Sequence, residues 1–332
     1  MINYSITNTC KEEEMFCCDL SSKPLLQVGT ILVTGASGHV GGRLVPELLA
    51  RGYKVRVMLR KTSAVHISRW TGAEVAVADA LNEERLKSAL DGIDTAYYLI
   101  HSMRLGSKGF EAADIKASAN FRKAAEEKHV KRLIYLGGLG DIRSSLSSHL
   151  CNRIEVSREL KKGKTPVTVL RAAVIVGKGS ASYEIMQYLV KRLPVIPFPR
   201  QARNKCQPVA ISDVIKYLVG VLEVPETTGK DFDIGGKDIL TYVEMLKVLA
   251  SLLDKRTIFI PFPFFNIRLY TYLASLLTPI PTSITRCLVE GLKNESICYD
   301  EAIKEYFPFE PISYKEAILR TIPPEKQDNA SD

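Results

Sequence analysis

Three glycines spaced three residues apart constrain this chain more than any other feature of its sequence. Gly35, Gly38 and Gly41 stand between a short apolar run at residues 31–33 and a helical pattern of apolar residues at 40–49. A strand, a turn of this kind and a helix are typical of loops that bind a pyrophosphate. The glycines permit a tight turn, close approach of the ligand and close packing of helix on strand. The first N–H groups of the helix also attract phosphate.

The rest of the first half alternates strand-like and helical patterns, which predicts a parallel sheet covered on both faces. The predicted strands are residues 31–33, 54–59, 75–78, 95–100, 132–136 and 167–170, and the predicted helices between them are 82–90, 111–128 and 154–161. After Gly177 the alternation weakens, with helices predicted at 213–222 and 242–253 around a strand at 231–234. We therefore expect an α/β fold with a doubly wound parallel sheet, the Rossmann type, and a smaller, interwoven C-terminal lobe.

The length of 332 residues suits one large domain or two modest ones. We expect a flexible N-terminal extension at 1–28, a Rossmann domain at 29–176 and a substrate-side lobe at 177–325. Residues 207–236 are expected to return to the Rossmann domain.

The composition is that of a globular protein, with 46% hydrophobic and 25% charged residues. A mean hydropathy of 0.00 excludes a polytopic membrane protein. The net charge of +8 comes from scattered clusters such as 161–164 and 200–205, which an anionic ligand or an acidic membrane surface could use. No basic stripe interleaved with aromatic residues is present, so a nucleic-acid partner is not expected. The apolar stretch 258–280 is interrupted by prolines, which favours a substrate-side lobe over a membrane span and leaves peripheral membrane contact open.

The seven cysteines indicate a reducing compartment. Their number is odd, no Cys-x-x-Cys occurs, and no histidine stands at zinc-finger spacing, so no metal site is predicted. The acidic run at residues 11–14 stands where a signal peptide would need apolar residues. These features predict a cytoplasmic protein.

The end of the second predicted strand indicates which dinucleotide binds. An NAD site usually carries Asp or Glu about 20 residues after the loop, to hold the ribose hydroxyls. Here Arg60 and Lys61 occupy that place, and no acidic residue occurs from 60 to 73. A guanidinium suits a 2′-phosphate, so NADP(H) is favoured and NAD(H) is left open. The residues predicted to hold the cofactor are Gly35, Ser37, Gly38, His39, Val40, Gly41, Arg60, Lys61, Asp79, Ala80 and Ile100.

Two of these residues carry specific expectations. His39 is expected to contribute its backbone rather than its imidazole to the loop. Asp79, at the end of the third strand, is placed to bind an adenine amino group, and the alternative is that it caps the next helix.

These motifs resemble the short-chain dehydrogenase/reductase superfamily, specifically its extended and atypical branch. The similarity extends over residues 29–322 and includes NmrA-like proteins and the Rossmann accessory subunit of mitochondrial complex I. It rests on the glycine loop and on the segments KRLIYLGG at 131–138, QPVAISDV at 207–214 and FDIGG at 232–236. A bacterial group of NAD(P)-binding proteins shares the run YYLIHSM at 97–103. The resemblance implies a Rossmann fold, NAD(P) binding and oxidoreductase chemistry.

The chain departs from the superfamily at its catalytic motif. No tyrosine has a lysine four residues later, and the matching segment places His149 at the tyrosine position and Arg153 at the lysine position. An imidazole that titrates near neutrality can act as a general acid, and an arginine can still bind ribose. His149 as an ordinary residue at the start of a helix is left equally open. His101, after the fourth strand, is the other candidate proton donor, with a partly buried loop histidine as its alternative.

On the substrate side, Arg171 and Arg203 are candidates to bind an anionic group. Their alternatives are a pair of Arg171 with a carboxylate such as Glu155, and plain surface charge at Arg203. Asn120, in the middle of a predicted helix, is expected to be a solvated polar residue, and the alternative is the helix-bending asparagine of related folds. Apolar residues of the second lobe suggest a hydrophobic small-molecule substrate, isoprenoid or quinone-like: Phe262, Phe264, Phe265 and Leu269.

Two functions remain open at this point. One is an NADP(H)-dependent oxidoreductase that acts on a hydrophobic small molecule. The other is a non-catalytic NADP(H)-binding protein, a redox sensor or an assembly or regulatory subunit, for which a protein partner is expected. The sequence leaves the oligomeric state open.

Overall fold

The centre of the protein is a seven-stranded, fully parallel β-sheet. We describe a computed structural model over residues 15–25, 27–61, 69–101, 110–140, 146–262 and 266–322. The spatial order of the strands is β3 (Glu74–Val77), β2 (Val55–Leu59), β1 (Thr30–Thr34), β4 (Ile93–Tyr98), β5 (Arg132–Gly138), β6 (Val167–Ala172) and β11 (Asp231–Ile234). The order reverses between β1 and β4, which is where open α/β sheets bind their ligands. The predicted doubly wound fold is therefore confirmed.

Helices cover both faces of the sheet, and the central strands are apolar almost throughout for that reason. The helices are α1 (Gly41–Ala50), α2 (Glu83–Leu90), α3 (Phe110–Glu127), α4 (Ser148–Lys161), α5 (Ala181–Arg192), α6 (Ile211–Glu223), α7 (Tyr242–Leu252), α8 (Ile267–Leu277), α9 (Thr282–Gly291), α10 (Ile303–Tyr306) and α11 (Tyr314–Leu319). One core contains Leu44 of α1 and Val214 of α6. The core on the opposite face contains Leu86 of α2, Phe121 of α3 and Val156 of α4.

The chain after β6 alternates between a second core and the main sheet. α5, α7 and α11 share a separate apolar core, which includes Leu189, Leu249 and Ile318. Short strands tie this part together: β7 (Ile175–Val176) with β10 (Val209–Ala210), β9 (Lys205–Cys206) with β12 (Leu240–Thr241), and β8 (Val195–Phe198) with β13 (Ile258–Pro261). Between them, the strand predicted at 231–234 is confirmed as β11, which pairs with β6 in the main sheet.

The segment before β1 is packed, in place of the loose extension predicted for residues 1–28. Cys17 is buried among residues of the first core. The guanidinium of Arg51, the residue that follows α1, donates to the carbonyls of Cys17 and Ser22, and it forms an ion pair with Glu223 of α6 at 2.6 Å. The segment therefore lies across α1 and α6, held by a buried charge pair. Residues 1–14, with Cys10, lie outside the described residues.

The apolar stretch 258–280 forms β13 and α8, separated by residues 263–265, which are not described. Within the parts of the chain that the structure describes, no helix is both long enough and apolar enough to cross a membrane.

Candidate cofactor and active site

The turn after β1 has a geometry that requires glycine at two positions. Gly35 has φ +63°, and a Cβ there would lie 2.6 Å from the carbonyl oxygen of Leu99. A Cβ at Gly41 would lie 2.5 Å from the carbonyl oxygen of Gly35. In both cases the obstacle is backbone, which cannot move aside as a side chain can. These two glycines therefore bring β1, the start of α1 and the end of β4 into direct backbone contact.

Thr34 joins the carboxyl ends of β1 and β4. Its hydroxyl donates to the carbonyl of Tyr97 and accepts from the N–H of Leu99, each at 2.9 Å. The side chain is fully buried. The switch point of the sheet is thus closed by a hydrogen-bonded threonine, next to the glycine turn.

The turn keeps backbone donors available for an anion, which tests whether a dinucleotide pyrophosphate fits here. The N–H of Gly38 donates to Gly35, and the N–H groups of Gly42, Arg43 and Leu44 donate within the start of α1. The N–H groups of Ser37, His39 and Val40 have no acceptor among the described residues. No acidic residue occupies the first turn of α1. Free donors, a positive helix end and the absence of a competing carboxylate all suit a pyrophosphate.

The imidazole of His39 lies beside this turn. Its Nδ1 is 3.1 Å from a guanidinium nitrogen of Arg43, which also donates to the carbonyls of His39 and Lys178. Burial and the positive charge of Arg43 lower the pKa of His39 to about 4. The imidazole is therefore neutral at pH 7, and Arg43 links the turn to the segment after β7.

Three cations lie after β2 or beside the start of α1. Arg60 and Lys61 follow β2, as the sequence predicted, and both are exposed. Arg69 was not predicted from the sequence, because it matches no motif. Its guanidinium nitrogen would lie 2.6 Å from a Cβ at Gly42, and the guanidinium carbon lies 5.4 Å from the centre of the Trp70 ring. Arg69 therefore brings a positive charge directly to the start of α1. Thr62, Ser63 and His66 lie outside the described residues.

At the end of β3 the structure corrects two expectations. The N-cap of α2 is Asn82, whose side chain accepts from the N–H of Arg85, so Asp79 is not the helix cap. Asp79 accepts from the N–H of Leu81 within its own turn at 2.9 Å. Asn120 is buried rather than solvated, and its amide donates to the carbonyl of Ala80 at 3.2 Å. Asn120 thus fixes the backbone at Ala80. A polar residue on the inner face of α3 is the feature of the sequence that could have indicated this contact.

The two candidate histidines come together at the carboxyl edge of the sheet. The ring centroids of His101 and His149 lie 4.9 Å apart, and the ring planes are inclined by 36°. His101 follows β4 by three residues, and His149 stands in the first turn of α4, whose N-cap is Ser147. The helix begins at Ser148, six residues before the sequence predicted, because Ser147 accepts from the N–H of Leu150. The sequence named both histidines without showing that they form one cluster.

Behind the pair lies a carboxylate that the sequence analysis did not single out. Asp114 of α3 is 3% exposed, and its Oδ2 lies 3.1 Å from Nδ1 of His101. The same oxygen accepts from the side-chain amide of Asn152 at 2.9 Å. Because a carboxylate only accepts, this contact assigns the proton of neutral His101 to Nδ1 and leaves Nε2 as an acceptor. Asp114 therefore fixes the tautomer and the orientation of the ring.

Arg153 is anchored in the same cluster. Its guanidinium donates to the carbonyl of Leu136 and lies 4.9 Å from the centre of the Tyr135 ring. A Cβ at Gly138 would lie 3.5 Å from Cγ of Arg153. Arg153 is thus packed on the end of β5.

The protonation of the pair corrects the expectation of an imidazole that titrates near neutrality. Burial, followed by the charges of His101 and Arg153, lowers the pKa of His149 to about 3. Burial also lowers the pKa of His101, against the opposing influence of Asp114. Both rings are therefore neutral at pH 7. A neutral imidazole can donate a hydrogen bond to a polarised carbonyl, but it does not supply a proton as an imidazolium would.

Several buried polar atoms of this cluster lack a partner within the described ranges. They are the Tyr98 hydroxyl, Nε2 of His101, Nδ1 of His149 and Oδ1 of Asn152. Such atoms are costly when left unpaired, and their concentration in one place is a mark of functional sites.

The predicted substrate-side arginines have identified neighbours. Arg171 pairs with Asp233 of β11 at 2.7 Å, rather than with Glu155, which pairs with Arg158. The reason is register, because Arg171 and Asp233 are directly opposite in adjacent strands. The exposed Arg203 lies 5.8 Å from the centre of the Phe198 ring. Their role toward a substrate stays a prediction.

The apolar residues named for a hydrophobic substrate lie elsewhere. Phe262 and Leu269 are 46% and 50% exposed, so they stand at the surface and not inside a cavity. Phe264 and Phe265 fall outside the described residues.

Comparison with known proteins agrees with this geometry. Residues 35–186 match the model of a family described as NAD(P)H-binding. Over these residues, a little under half of the chain, the sequence is similar to this family. The matched region begins at Gly35 and contains the histidine pair, so the glycine turn and the pair both lie in the part of the chain that resembles NAD(P)H-binding proteins. This match does not distinguish NADPH from NADH.

Two relatives match over much of the chain. The photosystem II assembly factor Ycf39 of Trieres chinensis is 23% identical over 239 residues, which are 70% of this chain and 73% of that protein. The mitochondrial NADH dehydrogenase (ubiquinone) 1 alpha subcomplex subunit 9 of Arabidopsis thaliana is 24% identical over 241 residues, 70% of this chain and 60% of that protein. The chain thus spans less than two thirds of the length of the second relative.

A solved structure shares the fold. The triphenylmethane reductase of Citrobacter sp., complexed with NADP(H), superposes with a TM-score of 0.71 at 19% identity, over 88% of this chain and 100% of that one. At this level of identity the likeness concerns the fold alone.

Proposed function

We propose that this protein is an NADP(H)-dependent reductase of a carbonyl-bearing small molecule, in which His149 and His101 form the polar centre. The observation that carries the proposal is the contact of the two rings above the buried carboxylate of Asp114. His101 lies two residues after Leu99, whose carbonyl touches the glycine turn. The pair is thereby placed beside the expected cofactor site. The chemistry that bound NADPH supplies is hydride transfer.

The residues of the chain would handle the oxygen of the carbonyl. Reduction adds a hydride to the carbonyl carbon and a proton to its oxygen, and negative charge develops on that oxygen. A neutral imidazole N–H of His149 is a suitable hydrogen-bond donor for it. The guanidinium of Arg153, held against Leu136, contributes a fixed positive charge nearby. The proton that completes the alcohol comes from solvent through the pair, since neither ring is protonated at pH 7.

The preference for NADPH is part of the proposal. Arg60 and Lys61 after β2 and Arg69 beside Gly42 supply positive charge where a 2′-phosphate is expected. The nearest acidic residue along the chain, Glu74, is already paired with Arg56 at 2.9 Å. A 2′-phosphate therefore meets cations without a competing carboxylate.

The test is turnover with a panel of lipophilic ketones, enones and quinones, isoprenoid carbonyls included, followed by loss of NADPH. We expect His149→Asn combined with His101→Asn to lower kcat by about 100-fold, the usual size of such a contribution. The dissociation constant for NADPH should stay within about twofold of wild type, because the glycine turn is untouched. The matched control is His129→Asn, an exposed histidine with φ +55°, a conformation that asparagine accepts.

A second function is favoured by a specific observation. Both histidines are neutral at pH 7, so the site lacks a ready proton donor, and a relative of the chain is named as an assembly factor. On this alternative, the protein binds NADP(H) without turnover and acts on a protein partner. Tight NADPH binding with no turnover over the whole panel, or turnover that the double variant leaves unchanged, would support it and contradict the reductase.

A further inference from the structure

Helix α8 presents its large apolar residues to solvent. Leu269, Tyr272, Leu273 and Leu276 are 50%, 58%, 41% and 62% exposed. Their spacing of three, four and seven residues places them in one stripe along the helix. We call these four residues the α8 stripe.

The opposite face of α8 packs on the protein. Thr271 and Ala274 on this face, and Thr278 just after the helix, are at most 7% exposed, Leu277 contacts the second core, and the helix packs against α9 and α5. Contiguous exposed apolar residues of this kind mark an interaction surface.

The strand before the helix repeats the pattern. Ile258, Ile260 and Phe262 are 62%, 46% and 46% exposed. Because they alternate along β13 and its continuation, they share one face. β13 is also an edge strand, paired with β8. Two successive elements of the chain thus carry apolar residues that are about half exposed.

Positive charge accompanies the α8 stripe. Arg268 is exposed in the first turn of the helix, and its guanidinium pairs with no carboxylate in the described part of the chain. At the other end, Arg192 donates to the carbonyl of Leu277 at 2.6 Å. A surface cavity of about 350 Å³ lies between α8 and α9, lined by Arg268, Thr271, Tyr272, Thr282, Arg286 and Glu290. Within it, Glu290 neutralises Arg286 at 2.8 Å, which leaves Arg268 as the uncompensated charge.

We propose that the α8 stripe docks on an anionic lipid surface, with the helix lying in the plane of the membrane interface. Apolar side chains along one face and arginines at both ends are the features of helices that lie in this interface. The eleven-residue helix is too short to span a bilayer. The net charge of +8 favours a negatively charged surface. Charge complementarity therefore selects anionic lipid as the occupant, over a second copy of this basic chain.

The experiment is co-sedimentation of the full chain with vesicles. We expect binding to vesicles of phosphatidylcholine with phosphatidylglycerol, weaker binding to phosphatidylcholine alone, and a decrease with added salt. Leu273→Asp with Leu276→Asp should lower the partition coefficient at least about tenfold. Arg268→Glu should lower it about fivefold or more on the anionic vesicles only. The matched control is Ile239→Asp, which changes a residue that is 52% exposed but lies outside the stripe.

NADPH affinity and the melting temperature, measured on every variant, separate loss of docking from loss of folding. Three results would overturn the proposal. They are no sedimentation of wild type with anionic vesicles, equal binding by the stripe variant, and a dimer in solution that the stripe variant dissociates while vesicle binding is absent.

Discussion

At the scale of single residues, the candidate site depends on a buried carboxylate. Asp114 lies behind His101, and Asn152 donates to the same oxygen, so the ring is held in one tautomer. A carboxylate that orients a histidine in this way contributes through position and charge.

We predict that Asp114→Asn lowers kcat by about tenfold to 100-fold, because an amide is a weaker acceptor and cannot enforce the Nδ1 proton. The KM for NADPH should change little. Steady-state kinetics of both substrates measure this. Glu111→Gln, an exposed acid on the same helix, is the control and should leave kcat unchanged. A fall in NADPH affinity without a fall in kcat would contradict the orienting role.

The neutral histidines also predict how stability depends on pH. The pKa values of His149 and His39 are lowered to about 3 and about 4 in the folded protein, against about 6.5 when unfolded. Above pH 6.5 both are neutral in either state. As the pH falls below 6.5, the unfolded state binds protons that the folded state does not, so the free energy of unfolding falls.

Denaturant unfolding between pH 8 and pH 5 tests this. Relative to pH 8, wild type should lose stability, and His149→Gln should recover on the order of 2 kcal/mol of that loss at pH 5. The same two proteins at pH 8 are the reference, which cancels any packing effect of the substitution. An identical pH dependence for both would show that His149 is not held neutral.

At the scale of elements, the turn between β1 and α1 requires glycine at two positions. We predict that Gly41→Ala raises the dissociation constant for NADPH at least about tenfold, because the new methyl group meets the backbone carbonyl of Gly35. Gly291→Ala is the control, since a Cβ at that last residue of α9 meets nothing within 4 Å. Equal cofactor affinity in Gly41→Ala and wild type would mean that the turn is not the binding loop.

The packing of the N-terminal segment on α1 and α6 gives a second prediction for an element. Glu223 is fully buried and joins Arg51 and the hydroxyl of Ser22. Glu223→Gln should therefore lower the free energy of unfolding by about 3 kcal/mol, because Arg51 is left without its charge partner. Glu301→Gln, which breaks the exposed pair with Lys304, should cost less than about 1 kcal/mol. Denaturant titration compares them, and similar losses for both would contradict the structural role of the buried pair.

Elements with a local signal could be predicted from the sequence. β11 agrees with the predicted residues 231–234, and α2 (Glu83–Leu90) agrees with the predicted helix at 82–90 to within one residue. α4 was predicted six residues too short, since its first turn carries polar residues that serve the site rather than a core. The N-terminal segment was predicted loose because its contacts are with residues far along the chain, such as Glu223.

At the scale of the whole molecule, the topology of the sheet brings the residues of the candidate site together. His101 follows β4, Asp114 belongs to α3, and His149 and Arg153 belong to α4. Parallel strands bring their carboxyl ends to one edge, and this edge is where the four residues meet. Asp114 and Asn152 have no motif of their own, so only the three-dimensional arrangement identifies them. The sequence left peripheral membrane contact open for the stretch 258–280, but it did not predict helix α8 or which of its residues are exposed.

The account as a whole depends on the recognition of a phosphorylated dinucleotide by the turn after β1 and the cations after β2. The most direct measurement is equilibrium titration with NADPH and NADH of wild type, Arg60→Glu and Lys54→Glu. Lys54 precedes β2 at the opposite edge of the sheet, so its variant carries the same charge change at a distance. We predict that wild type and Lys54→Glu bind NADPH at least about tenfold more tightly than NADH, and that Arg60→Glu loses this preference. Folded protein with no measurable affinity for either coenzyme would contradict the account.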